Sequence, residues 1–565
     1  MKNTLVLSLI IMALGISACK KTDNKQTKLP SFIEATDGKN QASGYVFNDE
    51  NRNNIRDKNE PGIPDVAVSN GVDIVITGDD GYYGLAVPDN GSVFVIKPAD
   101  WMTPLNENKL PLFYYLHRPE GSPGDYSYKG VEPTGDLPDE INFPLYEKET
   151  GEKFKVLVFG DTQPWDIEEI DYLAEDIIHE LIGIKNISFG ITMGDIVFDQ
   201  LELFTPLNQA VAQTGIPWYN VMGNHDINYS APEDILSGET YNSIYGPADY
   251  AFVCGKVHFI ILDDIIHEDK AGSHSYVGGL RPDQFTFLEN YLETVPENDM
   301  IVLNMHIPLA KKGNSFRQDD QEKLFDLLKD FPNTLSISAH THMQENMFFH
   351  KDSTAWQSKK PHHHYNVGTT SGSWWRGMKG ETGIPHTMMR DGTPNGYAII
   401  TFNDIDYTID WKVAGSPADH RMNIHLPGAI TAGSEENPLL TVNFFNGSEC
   451  SELLYRVKGF GDWKNMERKR TVDPYYLLLN QRWKTFNELG FIDQWDNNPS
   501  LSGQAFPGRD LPGPQPSSHI WVSAIGTDWP AGRHTIEVRA KDMYGRVFTS
   551  YHTMRVEENN SDMLQ

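Results

Sequence analysis

Apolar positions along the chain follow two periods, which divide it into three regions. Between residues 41 and 147, short alternating runs such as GYVF, VDIVITG and GSVFVIKP are separated by Asn, Gly, Asp and Pro turns, a pattern typical of a small β-sandwich. From Phe154, strand-like runs alternate with helical ones, which predicts an α/β core with helices covering sheets. From about Ala414 to Glu558 the β-type pattern returns, so we expect a second small sandwich over residues 414–565.

Within the α/β region the predicted elements are individually clear. The predicted strands are FKVLVFG, ISFGITMG, PWYNVMG, MIVLNMH and TLSISAH, and the predicted helices are IEEIDYLAEDIIHELIGI, LFTPLNQAVAQ, RPDQFTFLENYLET and DQEKLFDLLKDF. YAFVCGKVHFIILDD and GYAIITFNDIDYTIDWKV predict hairpins joined to this core, and HTIEVRAKDMYGRVFTSYHTMRV predicts a hairpin near the end of the chain.

The first residues, MKNTLVLSLIIMALGISAC, have the pattern of a targeting segment. Leu5–Ile16 is apolar but too short to span a membrane as a helix. The stretch before Cys19 resembles a bacterial lipobox, which implies a signal peptide over 1–18 and lipidation of Cys19; an ordinary cleaved signal is the alternative. Residues 19–40 are polar, as expected of a flexible tether. We therefore expect an extracytoplasmic protein anchored to a bacterial membrane through Cys19, on the periplasmic face or the cell surface.

Chain length, charge and cysteine content indicate the number of domains, disfavour nucleic-acid binding and bear on disulfide formation. A chain of 565 residues should form several domains. Its formal net charge of −31 disfavours binding to duplex nucleic acid, which requires Lys and Arg clusters; protein partners are not indicated. After Cys19 only Cys254 and Cys450 remain, and their separation suggests buried thiols rather than a disulfide. No later stretch is long and apolar enough to predict a transmembrane helix.

Polar side chains with metal-ligand chemistry follow all five predicted core strands. They are Asp161, Gln163, Asp195, Asn224, His225, Asp226, His306, His340 and His342. Ligands bind at the carboxyl ends of strands in α/β sheets, so chance placement is a poor explanation. A mixed set of oxygen and nitrogen donors suits Mn, Fe or Zn better than calcium. Without His225 and Asp226, seven donors remain, which exceed the needs of one ion but suffice for two divalent ions bridged by one carboxylate.

The motifs GDTQ, GDIVFD, GNHD, NMHIP and AHTH, in this order, resemble those of the calcineurin-like metallophosphoesterases over roughly residues 153–413. The resemblance implies an α/β fold class, a four-layer αββα metallophosphoesterase sandwich, here flanked by two small all-β, Ig-like domains. It also implies two metals. Asp161, Gln163, Asp195 and His342 would hold the first, Asp195, Asn224, His306 and His340 would hold the second, and His225 would lie beside the phosphate.

Two positions depart from the family pattern. Gln163 stands where many relatives have His, and an amide oxygen is a weaker and harder ligand, which should loosen the first site and favour harder ions such as Mn²⁺ or Mg²⁺. Ala339 stands where Gly usually precedes the His-x-His pair, and it leaves both ligands in place.

Two ions held in this way imply direct hydrolysis by a bridging hydroxide, without a phospho-enzyme. His225 would act as general acid, so the predicted catalytic residues are His225, Asp195 and Asp226. Asp226 or Asp199 would orient the His225 ring; alternatively, Asp226 is a structural acid of the turn.

Three further segments have open interpretations. Trp374, Trp375 and Arg376 are candidates for substrate binding, or else a core Trp and a surface Arg. His362, His363 and His364 fall in an insertion (343–366) that we expect to be a solvated loop, with one of them at the substrate mouth as the alternative. Asp49, Asn51, Asn53, Ile55, Asp57 and Glu60 have the spacing of an EF-hand calcium loop within a sandwich that resembles the B-type repeats of adhesins; a solvated polar turn is the alternative.

The sequence therefore predicts a lipid-anchored, dinuclear-metal hydrolase of phosphate monoesters or diesters, with its catalytic domain over 153–413. The alternative is a surface binding or adhesion lipoprotein that retains a phosphoesterase scaffold without catalysis.

Overall fold

The computed structural model describes residues 41–124, 127–268, 274–309, 316–435, 437–492 and 508–558. Cys19, the predicted signal peptide and the tether lie outside these residues, so the membrane anchor stays a prediction. In the described part of the chain, no helix combines the length and the apolar character that crossing a membrane requires.

The N-terminal region forms two four-stranded sheets, as its alternating pattern predicts. Its strands are β1 (Gln41–Asn48), β2 (Ala67–Ser69), β3 (Ile74–Ile76), β4 (Tyr82–Ala86), β5 (Ser92–Val95), β6 (Trp101–Met102), β7 (Tyr114–Leu116) and β8 (Phe143–Glu147). The strand orders are β4-β1-β8-β6 and β3-β2-β5-β7. Fully buried side chains from both sheets, including Val46, Val68, Phe94 and Leu145, form the interior.

Two mixed sheets form the centre of the molecule. Their strands are β9 (Lys153–Phe159), β10 (Phe189–Met193), β11 (Trp218–Val221), β12 (Tyr250–Cys254), β13 (Val257–Ile261), β16 (Met300–Asn304), β17 (Thr334–Ser338), β18 (Glu345–Phe349), β19 (His362–Asn366), β21 (Gly396–Asn403) and β22 (Asp406–Val413). The five-stranded sheet has the order β11-β10-β9-β21-β22 and the six-stranded sheet β12-β13-β16-β17-β19-β18. Three short strands lie beside them: β14 (Ile265–His267), β15 (Tyr276–Gly278) and β20 (Gly377–Met378).

Helices lie between strands along the chain. They are α1 (Ile167–Leu173), α2 (His179–Leu181), α3 (Phe204–Ala212), α4 (Asp234–Ser237), α5 (Glu239–Tyr245), α6 (Pro282–Leu292) and α7 (Gln318–Leu328); a π-helical turn, Ala174–Ile178, joins α1 to α2, and a 3₁₀ turn, Leu201–Leu203, precedes α3. The longer ones, α3, α6 and α7, each bury an apolar face. Helix α6 buries Phe285, Leu288 and Leu292, spaced by three and four residues, as packing on a sheet requires. The predicted α/β class, with two sheets, covering helices and flanking β domains, is confirmed.

The C-terminal region also contains two sheets, but the prediction of β structure alone was incomplete. Its strands are β23 (Met422–His425), β24 (Ile430–Thr431), β25 (Leu439–Phe444), β26 (Glu452–Val457), β27 (Lys464–Asn465), β28 (Glu467–Arg468), β29 (Gly508–Arg509), β30 (Ile520–Ala524), β31 (Gly532–Lys541) and β32 (Val547–Glu557). A helix, α8 (Pro474–Glu488), lies between β28 and β29. Asp473 caps it by accepting the Tyr475 and Tyr476 N–H groups, at 2.9 Å each.

A buried ion pair joins the N-terminal region to the core. Arg118 donates from Nε to Glu239 Oε2 at 2.8 Å and from Nη2 to Oε1 at 2.7 Å, and both side chains are at most 5% exposed.

The two cysteines of the described chain are unpaired, as predicted, but Cys450 is exposed rather than buried.

Candidate metal centre

Strand ends from both central sheets meet at one buried centre. Strands β9, β10 and β11 of the five-stranded sheet and β16 and β17 of the six-stranded sheet lead into turns that carry the seven predicted ligands: Asp161, Gln163, Asp195, Asn224, His306, His340 and His342. Six are buried and His340 is partly buried. The structure brings all seven together, while their role as ligands stays a prediction.

The turns that carry these side chains are conformationally unusual. Asp161, Gln163, Asp195, His340 and His342 all have left-handed backbones, with φ between 31° and 67°. Each such residue costs about 1–3 kcal/mol, a cost that proteins tolerate mainly at functional sites. Gly194 also has a positive φ, and a Cβ there would overlap the His306 ring. Close approach of the Asp195 turn to His306 therefore requires glycine at this position.

One half of the centre surrounds His306. Its Nδ1 lies 2.8 Å from the Met193 carbonyl oxygen and donates to it, which leaves a lone pair on Nε2 when the ring is neutral. Around Nε2, at 3.2 Å each, lie Asp195 Oδ1, Asn224 Oδ1 and His340 Nδ1. Since both oxygens are acceptors, these atoms repel one another unless a proton or a metal cation lies among them.

The other half of the centre contains two buried oxygens that lack any hydrogen-bond partner among the described residues, Asp161 Oδ1 and Gln163 Oε1. His342 donates from Nδ1 to the Gly372 carbonyl oxygen at 3.0 Å, so its Nε2 is the free acceptor, 3.6 Å from Asp161 Oδ1. Buried unpaired acceptors cost free energy, and a bound cation would satisfy all three.

The electrostatics of the centre favour positive charge. Burial lowers the pKa of His306, but the charges of Asp195 and Asp161 outweigh it and raise that pKa to about 10. Burial lowers the pKa of His340 to about 3 and that of His342 to about 4, so both rings are neutral and can coordinate. Neutral imidazoles, carboxylates and unpaired amide oxygens are the donors that transition-metal dications bind. The residues present therefore fit the predicted ions.

His225 does not join the ligand set. Its Nδ1 lies 2.7 Å from Asp199 Oδ1, and its Nε2 faces the centre, 4.0 Å from Asp195 Oδ2. Burial lowers the pKa of His225, but Asp195 and Asp199 outweigh it and raise the pKa above its usual value. A protonated ring with Nε2 directed at the centre has the geometry of a proton donor.

Asp226 does not orient this ring, contrary to its prediction as a catalytic residue. Its carboxylate accepts the backbone N–H groups of Ile196, Val197 and Gly223, at 3.1, 3.1 and 2.8 Å. A fully buried acid with three backbone donors shapes the turn, which agrees with the structural alternative for Asp226, and Asp199 is the carboxylate that contacts the His225 ring.

The segment GTTSGSWWRG (368–377) is hydrogen-bonded to the turn that carries Asp161. Thr370 and Ser371 donate to the carbonyl oxygens of Gly160 and Asp161, at 2.9 and 2.7 Å. These two hydroxyls are therefore used for hydrogen bonds inside the protein.

The three candidate substrate-binding residues of this segment differ in position. Trp375 is 1% exposed and donates to the Thr162 carbonyl oxygen, so it belongs to the core and its prediction as a substrate contact is wrong. Trp374 is partly exposed and stacks on the His342 ring, with centroids 4.0 Å apart. Arg376 pairs with Asp510 at 3.3 Å. Of the three, Trp374 directly touches a predicted ligand.

The three consecutive histidines, 362–364, do not lie in a solvated loop. His362, His363 and His364 lie in β19, inside the six-stranded sheet, and are at most 5% exposed. The prediction of a solvated loop is therefore wrong for these three histidines: β19 pairs antiparallel with β18, and both strands lie within 343–366. His362 and His364 contact hydroxyls of Thr334, Ser336 and Ser338 along β17, at 2.6–2.8 Å, so hydrogen bonds offset their burial.

The candidate calcium loop is ordered around its acidic residues. Asp49 is fully buried and accepts the backbone N–H groups of Asn53 and Asn54, at 3.1 and 2.8 Å. Asn54 has φ of 62°, the conformation expected where EF-hand loops have Gly. Glu60 is 8% exposed, and its Oε1 has no hydrogen-bond partner in the described chain.

Family models match three segments of this chain. Residues 154–344 match "Calcineurin-like phosphoesterase", residues 49–132 match "N terminal of Calcineurin-like phosphoesterase" and residues 364–548 match "C terminal of Calcineurin-like phosphoesterase". The N-terminal match includes most of the region whose sequence resembles adhesin repeats. No curated protein sequence matches the chain.

Two solved structures are similar over most of the chain. One is the purple acid phosphatase PPD1 from yellow lupin (Lupinus luteus), at 12% identity and a TM-score of 0.34, covering 62% of this chain and 67% of that one. The other is PhoD, at 11% identity and a TM-score of 0.35, covering 64% of this chain and 82% of that one. At these TM-scores the two structures add nothing to the family match.

Proposed function

The chain belongs to the calcineurin-like phosphoesterase family, and we propose that it hydrolyses phosphate monoesters or diesters with two divalent ions. The observation that carries the proposal is a pair of buried oxygens, Asp161 Oδ1 and Gln163 Oε1, which have no hydrogen-bond partner among the described residues. They lie at the same centre as His306 Nε2, which is 3.2 Å from both Asp195 Oδ1 and Asn224 Oδ1. Such an arrangement is costly without cations.

Two ions divide the donors in a simple way. Asp161, Gln163 and His342 would hold the first; Asn224, His306 and His340 would hold the second; and Asp195 would bridge them. When bound, the ions supply an activated water and neutralise charge on phosphoryl oxygens. Mn, Fe or Zn suits the mixed donors, and Gln163 shifts the preference toward the harder Mn²⁺.

The protein's own part in the reaction is proton transfer and positioning. His225 holds a proton on Nε2, facing the centre, and gives it to the oxygen of the departing group. Asp199 keeps the proton of Nδ1 in a 2.7 Å hydrogen bond, which fixes the ring orientation. The hydroxyls of Thr370 and Ser371 hold the Asp161 turn in place. No side chain is required as a covalent nucleophile.

A calcium ion in the loop from Asp49 to Glu60 is a second part of the proposal. Asp49 and Glu60 are buried acids on an exposed loop, and the unpartnered Glu60 Oε1 is available as a ligand. A calcium ion bound to these residues would hold the loop in one conformation and stabilise the N-terminal region.

We also propose that the mature protein is anchored outside the cytoplasm through a lipidated Cys19, which the lipobox-like sequence supports. Mass spectrometry of the membrane fraction tests this.

The decisive experiment measures hydrolysis of p-nitrophenyl phosphate and bis-p-nitrophenyl phosphate after EDTA treatment and again after restoring Mn²⁺. We expect turnover to depend on the metal and to be lost in Asp195→Asn. The exposed Asp139→Asn is the matched control and should retain activity. If no ester is hydrolysed with metal present, or if Asp195→Asn is fully active, the proposal fails and the non-catalytic surface-binding alternative is favoured. The same two substrates also distinguish monoester from diester preference.

A further inference from the structure

Three aromatic rings contact one another in series from the centre toward the surface. The imidazole of His225 stacks on Phe198, with centroids 4.4 Å apart and an interplanar angle of 24°. Phe198 in turn contacts Trp165, with centroids 4.7 Å apart. Trp165 is 50% exposed. The series therefore ends in an indole that is open to solvent.

The outer ring is attached to a well-fixed backbone. The Trp165 N–H donates to the carboxylate of Glu169 at 2.7 Å, and Arg509 holds the same carboxylate at 2.6 Å. The Phe198 N–H donates to the Pro164 carbonyl oxygen at 3.1 Å. An exposed aromatic ring on an ordered backbone loses little conformational freedom when a ligand packs on it.

The position of this series relates it to the departing group of the substrate. Since Asp199 occupies Nδ1 of His225, the leaving oxygen must lie within about 2.6–3.2 Å of Nε2. A group that extends from that oxygen along the imidazole would reach Phe198 and Trp165, which continue the aromatic surface.

The charges near Trp165 disfavour an anionic departing group. The cations that contact helix α1 are already paired: Arg509 with Glu169 at 2.6 Å and Lys379 with Glu168 at 2.7 Å. A second phosphate or a carboxylate on the departing group would thus meet carboxylates and apolar rings.

We propose that Trp165 and Phe198 form the binding surface for a planar, uncharged aromatic leaving group, such as an aryl alcohol or a nucleoside. This inference rests on the proposed function, because it assigns the leaving-group side of the same centre. Trp165 thereby contributes to specificity, and the chemistry itself stays with His225 and the metal ligands.

The first test is binding, which needs no turnover. Dissociation constants of 1-naphthylmethylphosphonate and methylphosphonate are measured by calorimetry with Mn²⁺ present. Trp165→Ala should weaken the naphthyl ligand by about 3- to 10-fold, the contribution of one aromatic pair, and change methylphosphonate less than about twofold. Trp165→Phe should restore most of the difference. Ile182→Ala, an equally exposed apolar residue elsewhere, should change neither.

The second test is hydrolysis of 1-naphthyl phosphate against glycerol 2-phosphate by the same variants. A rise in KM confined to the naphthyl ester in Trp165→Ala supports the inference. Equal changes for both ligands, or none, overturn it while leaving the proposed function intact. If the wild type hydrolyses neither ester with any metal, the proposed function fails, and the phosphonate constants still decide whether Trp165 binds aromatic groups.

Discussion

Removal of His225 should slow hydrolysis according to how much the leaving group needs a proton. p-Nitrophenolate is a stable anion and departs unaided, whereas phenolate, whose conjugate acid has a pKa of about 10 as in tyrosine, needs protonation. Because His225 Nε2 faces the centre and its Nδ1 is held by Asp199, His225→Ala should lose far more activity on phenyl phosphate than on p-nitrophenyl phosphate.

The magnitude follows from the geometry. A positioned general acid contributes about 10²- to 10⁴-fold, so this is the expected loss for phenyl phosphate in His225→Ala. The 2.7 Å contact to Asp199 is a charge-assisted hydrogen bond, worth about 1.5–3 kcal/mol, or about 10- to 100-fold. Since the two side chains are 22% and 24% exposed, solvent screening places Asp199→Asn near the lower limit, at about 10-fold.

The assay compares kcat for the two esters at saturating Mn²⁺. His274→Gln is the matched control, because His274 lies 3.8 Å from the other oxygen of Asp199 and is mostly exposed; it should leave the ratio of the two kcat values unchanged. If His225→Ala slows both esters equally, His225 binds phosphate rather than donating a proton, and the assignment is refuted.

Three further predictions concern stability and metal affinity. Arg118→Met leaves the Glu239 carboxylate buried without its cation, so it should lower the free energy of unfolding by about 3–5 kcal/mol. Arg118→Met combined with Glu239→Leu should recover most of this loss, and a denaturant midpoint near wild type for the single variant would contradict the argument. Burial lowers the pKa of His362 and His363 to about 3, so only the unfolded chain takes up their protons below about pH 6.5. The free energy of unfolding should therefore be highest above that pH and fall by up to about 1.4 kcal/mol per pH unit for each histidine on acidification. The His363→Phe variant should show a smaller slope of unfolding free energy against pH, and a slope equal to that of the wild type would contradict the prediction. Gln163→His should raise the EDTA concentration needed to remove metal, measured by residual metal content, since imidazole binds transition metals more tightly than an amide; unchanged or weaker retention would show that Gln163 is not a ligand.

Much of the fold could be predicted because the local patterns agree with the tertiary structure. The five runs that end at Asp161, Asp195, Asn224, His306 and His340 are short apolar strands followed by ligand chemistry, and all five became strands of the central sheets. The positions of the ligands after the strands sufficed to bring the seven side chains together, since strand ends of one sheet share an edge.

The misplaced features have two causes: the histidines and His225 have partners that are distant in sequence, whereas helix α8 depends on a local start signal. His362–His364 have polar side chains, and the hydroxyls of β17 that satisfy two of them lie 26 to 28 residues earlier. The apolar residues that follow Tyr476 are compatible with either a strand or a helix. Asp473 as N-cap and Pro474 at the first helical position favour the helix. Asp199 and Asp226 are equivalent by sequence, and only the fold shows which one reaches His225.

The centre draws four donors from one sheet and three from the other. An ion bound there would consequently cross-link the two central sheets, in addition to their apolar packing and to hydrogen bonds such as that from His306 Nδ1 to the Met193 carbonyl oxygen. Removal of the ion by chelation should therefore lower the stability of the fold and raise its susceptibility to proteases, as well as stop turnover. On the proposed function, the supply of divalent metal would therefore set the lifetime of the folded protein as well as its rate of turnover.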